Sequence, residues 1–183
     1  MSVYSGLPFA EQKKLKLKIE DIIPEYLDGE MRRTALGFVG YMRAHKMQPV
    51  WQSTNTWKAN YKGQNICAIR LSEGSWRVEP RVSRWNKLID SYNKYEMELT
   101  EDGLHDTVIA NIYYCVSCAN CGPGRDMDFF GKVYGNVCHN VPVRYIDPGE
   151  AEITCIKRIL ELMGKTFAEY ELSRRMTGLH DAL

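Results

Sequence analysis

Three cysteines at three-residue intervals, Cys115, Cys118 and Cys121, and a fourth at Cys138 have the spacing of a metal site. Thiolates are soft, strongly donating ligands, and a tetrahedral Zn²⁺ is satisfied by four sulfurs at about 2.3 Å. The Gly122-Pro123-Gly124 segment favours a sharp reversal that returns the chain to the first three cysteines. We therefore predict zinc as the cofactor. With four thiolate ligands the site is closed to water and substrate, which favours a structural role and predicts no catalytic residue.

Other uses of the same residues remain open. His139 is an alternative ligand, although adjacent residues of a regular strand point to opposite sides, which favours Cys138. An iron-sulfur cluster also takes four cysteines, but the Cys-Pro step of the ferredoxin motif is missing. A thioredoxin-type dithiol needs a helix N-terminus, whereas these cysteines are predicted to follow a helix. Thiols without a metal are a further possibility. Cys67 and Cys155 stand apart and are interpreted as small buried residues.

The tryptophans mark a second candidate site. Trp51, Trp57, Trp76 and Trp85 lie in or beside residues 51–82, where apolar and polar residues alternate with turn signals between them. This pattern predicts a three-stranded antiparallel meander whose central strand is Ile66 to Leu71. An aromatic face on such a sheet favours a flat or apolar ligand, and the predicted ligand-binding residues are Trp57, Lys58, Tyr61, Trp76 and Arg77. The alternative is that helices cover this face and the aromatics are core.

Helices and further strands must position both sites. Apolar periodicity predicts helices over Glu11–Ile23, Asp28 to about Lys46, and Thr100 to about Tyr114, the last carrying Cys115 to the edge of the core. Short strands are expected at Met127–Val133, Tyr134–Cys138 and Val141–Ile146. Asp147 is the expected N-cap of a last helix that reaches at least Leu162, and 85–95 is a short helix or an irregular segment.

Length and composition predict one α+β domain. The chain has 183 residues, 44% of them hydrophobic, which suits one core over 1–183, with 1–10 and 168–183 peripheral or frayed. The net charge of +1 provides no field that favours nucleic acid or a membrane as partner. Neither a signal peptide nor a run of eighteen apolar residues is recognisable, so a soluble, cytoplasmic protein is expected. The oligomeric state is not indicated.

The arrangement of five segments resembles a family of small bacterial proteins without an assigned function. The segments are Trp57–Gly63, Gly74–Trp76, Cys115–Gly124, Gly131–Lys132 and Val137–Cys138. The resemblance covers roughly Arg32 to Leu162 and implies a bacterial origin and a compact α+β domain. It implies no activity.

These observations favour a binding or regulatory module for a small molecule or a protein, with a structural zinc site. The second hypothesis is a metal- or thiol-dependent enzyme, or a redox sensor, that uses the cysteine cluster itself; it requires an open metal position or a cysteine of lowered pKa. The third is a nucleic-acid accessory module, which the near-neutral charge makes less favoured.

Overall fold

The computed structural model describes residues 9–15, 17–81, 93–118 and 122–177. Its helices are α1 Phe9–Leu15, α2 Ile19–Tyr26, α3 Gly29–Ala44, α4 Glu96–Glu101, α5 His105–Ala110 and α6 Glu150–Thr177. Its strands are β1 Gln48–Ser53, β2 Thr56–Tyr61, β3 Gln64–Ser72, β4 Ser75–Pro80, β5 Arg125–Phe129, β6 Lys132–Val137 and β7 Tyr145–Ile146. Helices combined with antiparallel sheet confirm the α+β prediction.

The main sheet has five strands in the order β1-β2-β3-β4-β7, and every neighbouring pair is antiparallel. Strands β2, β3 and β4 form the meander that the alternating pattern predicts. Strand β1 is one edge, carries Pro49 and has an irregular register between Trp51 and Ser53. The other edge is the two-residue strand β7.

One face of this sheet packs against helices and forms the core. Trp57 and Trp76 are each 1% exposed, and the rings of Trp76 and Phe38 of α3 are 6.2 Å apart. The indole N–H of Trp57 donates a hydrogen bond to the carbonyl oxygen of Leu17 at 2.9 Å. Helix α6 reaches the same face, where a Cβ placed on Gly164 would lie 3.5 Å from the Tyr61 ring.

The N-terminal helix differs from the prediction. The segment expected to form one helix over Glu11–Ile23 forms α1 and α2, and α2 continues through Pro24 to Tyr26. Proline removes one backbone donor from a helix interior. Three buried isoleucines, Ile19, Ile22 and Ile23, hold α2 against the core and outweigh that loss. Helix α3 lies within its predicted limits.

The predicted helix from Thr100 to Tyr114 is wrong. Helix α4 already contains Thr100, the chain turns at Gly103 with φ of +68°, and α5 ends at Ala110. Glycine adopts this left-handed conformation without strain, and it separates the two short helices. The chain then becomes extended, so Cys115 is reached along a strand-like segment and not along a helix.

The C-terminal half also differs in its boundaries. Strands β5 and β6 form the expected hairpin, but it turns at Phe130 and Gly131, whose φ values of 56° and 72° suit a two-residue turn. The predicted strand Val141–Ile146 is reduced to β7 plus a bridge between Val143 and Ile112. Helix α6 extends to Thr177, and residues 85–92 of the predicted irregular segment lie outside the described residues.

Asp147 does not cap α6 with its side chain. Its φ is +46°, and its carboxylate accepts hydrogen bonds from the Trp76 backbone N–H at 2.7 Å and from Ser75 Oγ at 3.1 Å. The N-cap prediction was wrong because the first two residues of β4 bind the same carboxylate. In the described residues, no helix is both long enough and apolar enough to cross a membrane.

Candidate functional site

Backbone pairing brings two of the predicted metal ligands onto neighbouring segments. Tyr114 and Val137 form an antiparallel bridge. The Cys115 N–H donates to the Asn136 carbonyl oxygen at 2.7 Å, and the Cys138 N–H donates to the Tyr113 carbonyl oxygen at 2.8 Å. Cys115 and Cys138 therefore lie close together along one paired segment although many residues separate them in sequence.

The chain around Cys115 folds back toward its own sulfur. The Ser117 N–H donates to Cys115 Sγ at 3.4 Å, and Ser117 has a φ of +52°. The returning chain passes so close that a Cβ placed on Gly124 would lie 2.7 Å from both Cys115 Cβ and the Asn136 carbonyl oxygen. Gly124 is thus the residue that lets the loop after Cys115 close back upon it.

The predicted ligands differ in exposure. Cys118 is exposed, Cys138 is buried, and Cys121 lies outside the described residues. Within the described part of the chain, no three His, Cys, Asp or Glu side chains are grouped as a metal ion requires. His139 Nδ1 is buried and has no hydrogen-bond partner among the described groups, and a Cβ placed on Gly122 would lie 4.0 Å from His139 Cε1.

Cys67 and Cys155 are buried in the core. Burial raises the pKa of the Cys67 thiol well above its usual range, and burial raises the pKa of Cys155 to about 11. Both thiols therefore stay protonated at neutral pH and lack the thiolate character of a reactive cysteine.

The five residues predicted to contact a ligand do not share one face of the sheet. The Trp57 and Trp76 indoles are part of the core, and Tyr61 lies under α6. Lys58 and Arg77 alternate with the two tryptophans along β2 and β4 and so point to the opposite face. The Trp57 and Trp76 rings pack in the core, so their contact with a ligand stays a prediction.

Lys58 lines a different cavity, of about 510 Å³, at the β1 edge of the sheet. Its other lining residues include Trp51, Val50 and Leu17, together with Lys13 and Lys18 from the N-terminal helices. Trp51 thus borders a cavity together with the predicted contact Lys58, and Trp76 borders a second cavity together with the predicted contact Arg77.

The opposite face of the sheet has a charge cluster that the sequence analysis missed. Glu79 of β4 is fully buried and is surrounded by four guanidinium groups. They belong to Arg70, Arg77, Arg81 and Arg144. We call these four arginines and Glu79 the arginine cluster. The period-two run Arg77, Glu79 and Arg81 was the available signal, but its partners come from β3 and from the residue before β7.

The two oxygens of Glu79 are used differently. Oε2 accepts hydrogen bonds from Arg70 Nε at 3.4 Å and from Arg81 Nη2. Oε1 lies 3.1 Å from Arg144 Nε and 3.5 Å from Arg77 Nε, but without the alignment of a hydrogen bond. Arg144 also stacks on Tyr113, with its guanidinium carbon 3.5 Å from the ring centroid.

The charges of the arginine cluster shift pKa values in both directions. Burial raises the pKa of Glu79, but Arg81, Arg70 and Arg144 outweigh it and hold this pKa below its usual value. Burial lowers the pKa of Arg77, and repulsion from Arg144 and Arg70 adds to this effect despite the attraction of Glu79. The positive charge of Arg77 is thus incompletely compensated by the groups around it.

Comparisons of the chain with protein families, with curated proteins and with solved structures give no match.

Proposed function

We propose that this protein is a zinc-binding α+β protein that serves as a binding or regulatory module for a small molecule or a protein. Cys115, Cys118, Cys121 and Cys138 hold the ion, with His139 as the alternative to Cys138. Four protein ligands complete the tetrahedral coordination of the ion, so its role is structural and not catalytic. The observation that supports the proposal is the close approach of two chain segments at Cys115. The Ser117 N–H faces the Cys115 sulfur, and Gly124 passes within contact distance of the Cys115 side chain.

The composition of the segment supports a metal, although the described ligands Cys115, Cys118 and Cys138 are not grouped around one point. The loop after Cys115 has exposed residues at Val116, Ser117 and Cys118 and therefore little apolar surface to bury. A metal stabilises a segment of this kind in place of a hydrophobic core. His139 Nδ1 is buried beside Gly122 without a hydrogen-bond partner among the described groups, which supports His139 as the alternative ligand.

The test is metal analysis of protein purified without added metal. We expect one zinc per chain in the parent and its loss when Cys115, Cys118, Cys121 or Cys138 is changed singly to Ala. Cys155→Ala is the matched control, because this thiol is buried on α6 and protonated, and it should keep the zinc. His139→Ala distinguishes the two ligand sets: retained zinc supports Cys138.

Absence of metal from the parent protein contradicts the proposal, and iron with visible absorption supports the iron-sulfur alternative instead. Gly124→Ala gives an independent check. Its Cβ would clash with the Asn136 backbone, so zinc affinity should fall by at least about tenfold, whereas Gly122→Ala, with ordinary contact distances, should leave it unchanged.

A further inference from the structure

The arginine cluster carries more positive charge than it neutralises. Four guanidinium groups surround the single carboxylate of Glu79, which leaves an excess of three positive charges among these five side chains. Arg70 and Arg77 are directly opposite each other on β3 and β4. Like charges at directly opposed positions destabilise a sheet. An arrangement of this kind is relieved when an anion binds.

Three donors of the arginine cluster also lack acceptors. The Nε atoms of Arg77, Arg81 and Arg144 are buried and have no hydrogen-bond partner among the described groups. Of these three residues, Arg77 lines the adjoining cavity, and Arg81 and Arg144 lie behind it around Glu79. Buried donors without acceptors cost free energy, and arginine is the side chain best suited to bind a tetrahedral oxyanion through several N–H groups at once.

A cavity of about 380 Å³ adjoins the cluster. Arg70 and Arg77 line it, and their side chains keep 36% and 39% of their surface exposed. Most of the remaining wall, Asn55 included, is polar, and its apolar part comes from Leu71, Trp76 and Ile146. Tyr26 Oη donates to Asn55 Oδ1, so the Asn55 amide nitrogen is the donor that this side chain offers to a ligand.

We propose that this cavity binds the phosphate group of a small phosphorylated molecule through Arg70 and Arg77. A phosphate monoester carries about −1.5 to −2 charges at neutral pH and several acceptor oxygens, which suits the excess positive charge better than a single carboxylate does. The volume is in the range of small-ligand sites, and the net charge of +1 gives no long-range field for a polyanion. The inference does not depend on the zinc site.

The experiment measures binding of inorganic phosphate and of inorganic pyrophosphate by calorimetry and by thermal melting, against chloride at matched ionic strength. Arg70→Gln and Arg77→Gln should each weaken binding by about tenfold or more. Arg33→Gln is the matched control, because this arginine is exposed on α3 and away from the cavity. Any general stabilisation of folded protein by phosphate is common to all variants and is subtracted.

Equal phosphate binding by the parent and both cavity variants overturns the proposal. A single-stranded RNA oligonucleotide that binds more tightly than pyrophosphate, with affinity falling steeply with salt, overturns it in favour of a nucleic-acid backbone. If Arg70→Gln does not fold, Arg70→Lys keeps the charge without the planar fork, and it should still weaken binding measurably. Zinc content should stay unchanged in every variant, which separates this test from that of the metal site.

Discussion

Glu79 has no exposed surface, and its carboxylate has four guanidinium neighbours. A buried carboxylate is costly by itself, but its removal leaves several partly buried cations without a counter-charge. The charge of this one residue therefore decides whether the face of the sheet opposite the helices can stay packed.

We expect Glu79→Gln to lower the free energy of unfolding at pH 7 by about 3–5 kcal/mol, measured by urea denaturation. The folded-state pKa of Glu79 lies below the unfolded value of about 4.3, so the contribution is fully present above that pH. It is lost as the pH falls through the folded-state pKa. The difference between parent and variant should therefore shrink in acid below about pH 4.

Glu73→Gln is the control, because Glu73 is exposed in the turn between β3 and β4 and should change stability little. Equal stability of the parent and Glu79→Gln at pH 7 would show that the cluster does not need this charge.

At the residue scale, the spacing of cysteines in the sequence indicates a chemistry, but it does not show which residues lie close together in the fold. The positions of Cys115 and Cys138 can be chosen from sequence, but their proximity depends on the bridge between Tyr114 and Val137. The arginine cluster was missed because Arg70 and Arg77 meet through the register of β3 with β4, and Arg144 is contributed by a distant segment. Register is a tertiary property that alternation alone does not determine.

Strand β4 and helix α6 are joined by Asp147, which occupies the turn between β7 and the helix. Its carboxylate accepts two hydrogen bonds, and its N–H donates to the Trp76 carbonyl oxygen at 2.8 Å. These contacts fix the turn against the start of β4, and the position of the turn sets the angle at which α6 begins.

Asp147→Ala should lower the free energy of unfolding by about 1–3 kcal/mol, because the Trp76 N–H loses a charged acceptor. Ser75→Ala removes only the weaker contact of the pair and should cost less. Chemical denaturation of both variants measures the difference. A larger loss for Ser75→Ala would contradict the assignment of Trp76 N–H as the main donor.

Elements with strong local signals were the ones that sequence could predict. Helix α3 has a regular apolar stripe of Ala35, Phe38, Val39 and Met42, and all four are buried. The helix predicted over Thr100–Tyr114 failed because Gly103 divides it, and the remaining pattern is too short to distinguish helix from extended chain. The last helix was underestimated because polar residues beyond Phe167 carry no apolar stripe although they are helical to Thr177.

At the scale of the whole molecule, Trp57 connects the main sheet with the N-terminal helices. Its indole donates to Leu17 between α1 and α2, and its ring is 1% exposed. The meander was predictable because its turns are local. Strand β1 also joins β2 through a local turn, whereas the docking of α1 and α2 and the addition of β7 depend on contacts that are distant in sequence.

Trp57→Phe should keep most of the packing but leave the Leu17 carbonyl oxygen without this donor, and we expect a loss of about 1–3 kcal/mol in unfolding free energy. Trp57→Ala should cost more, about 3–5 kcal/mol. Limited proteolysis near α1 together with urea denaturation measures both effects. Wild-type stability of Trp57→Ala would exclude the core role of this residue.

The two edges of the main sheet affect how copies of the chain meet in concentrated solution. Pro49 in β1 has no N–H to offer, and the irregular register after Trp51 bends that edge. Strand β7 at the other edge is two residues long. Neither described edge is a good template for another β-strand. Edge-to-edge pairing of the main sheet with that of another copy is therefore disfavoured.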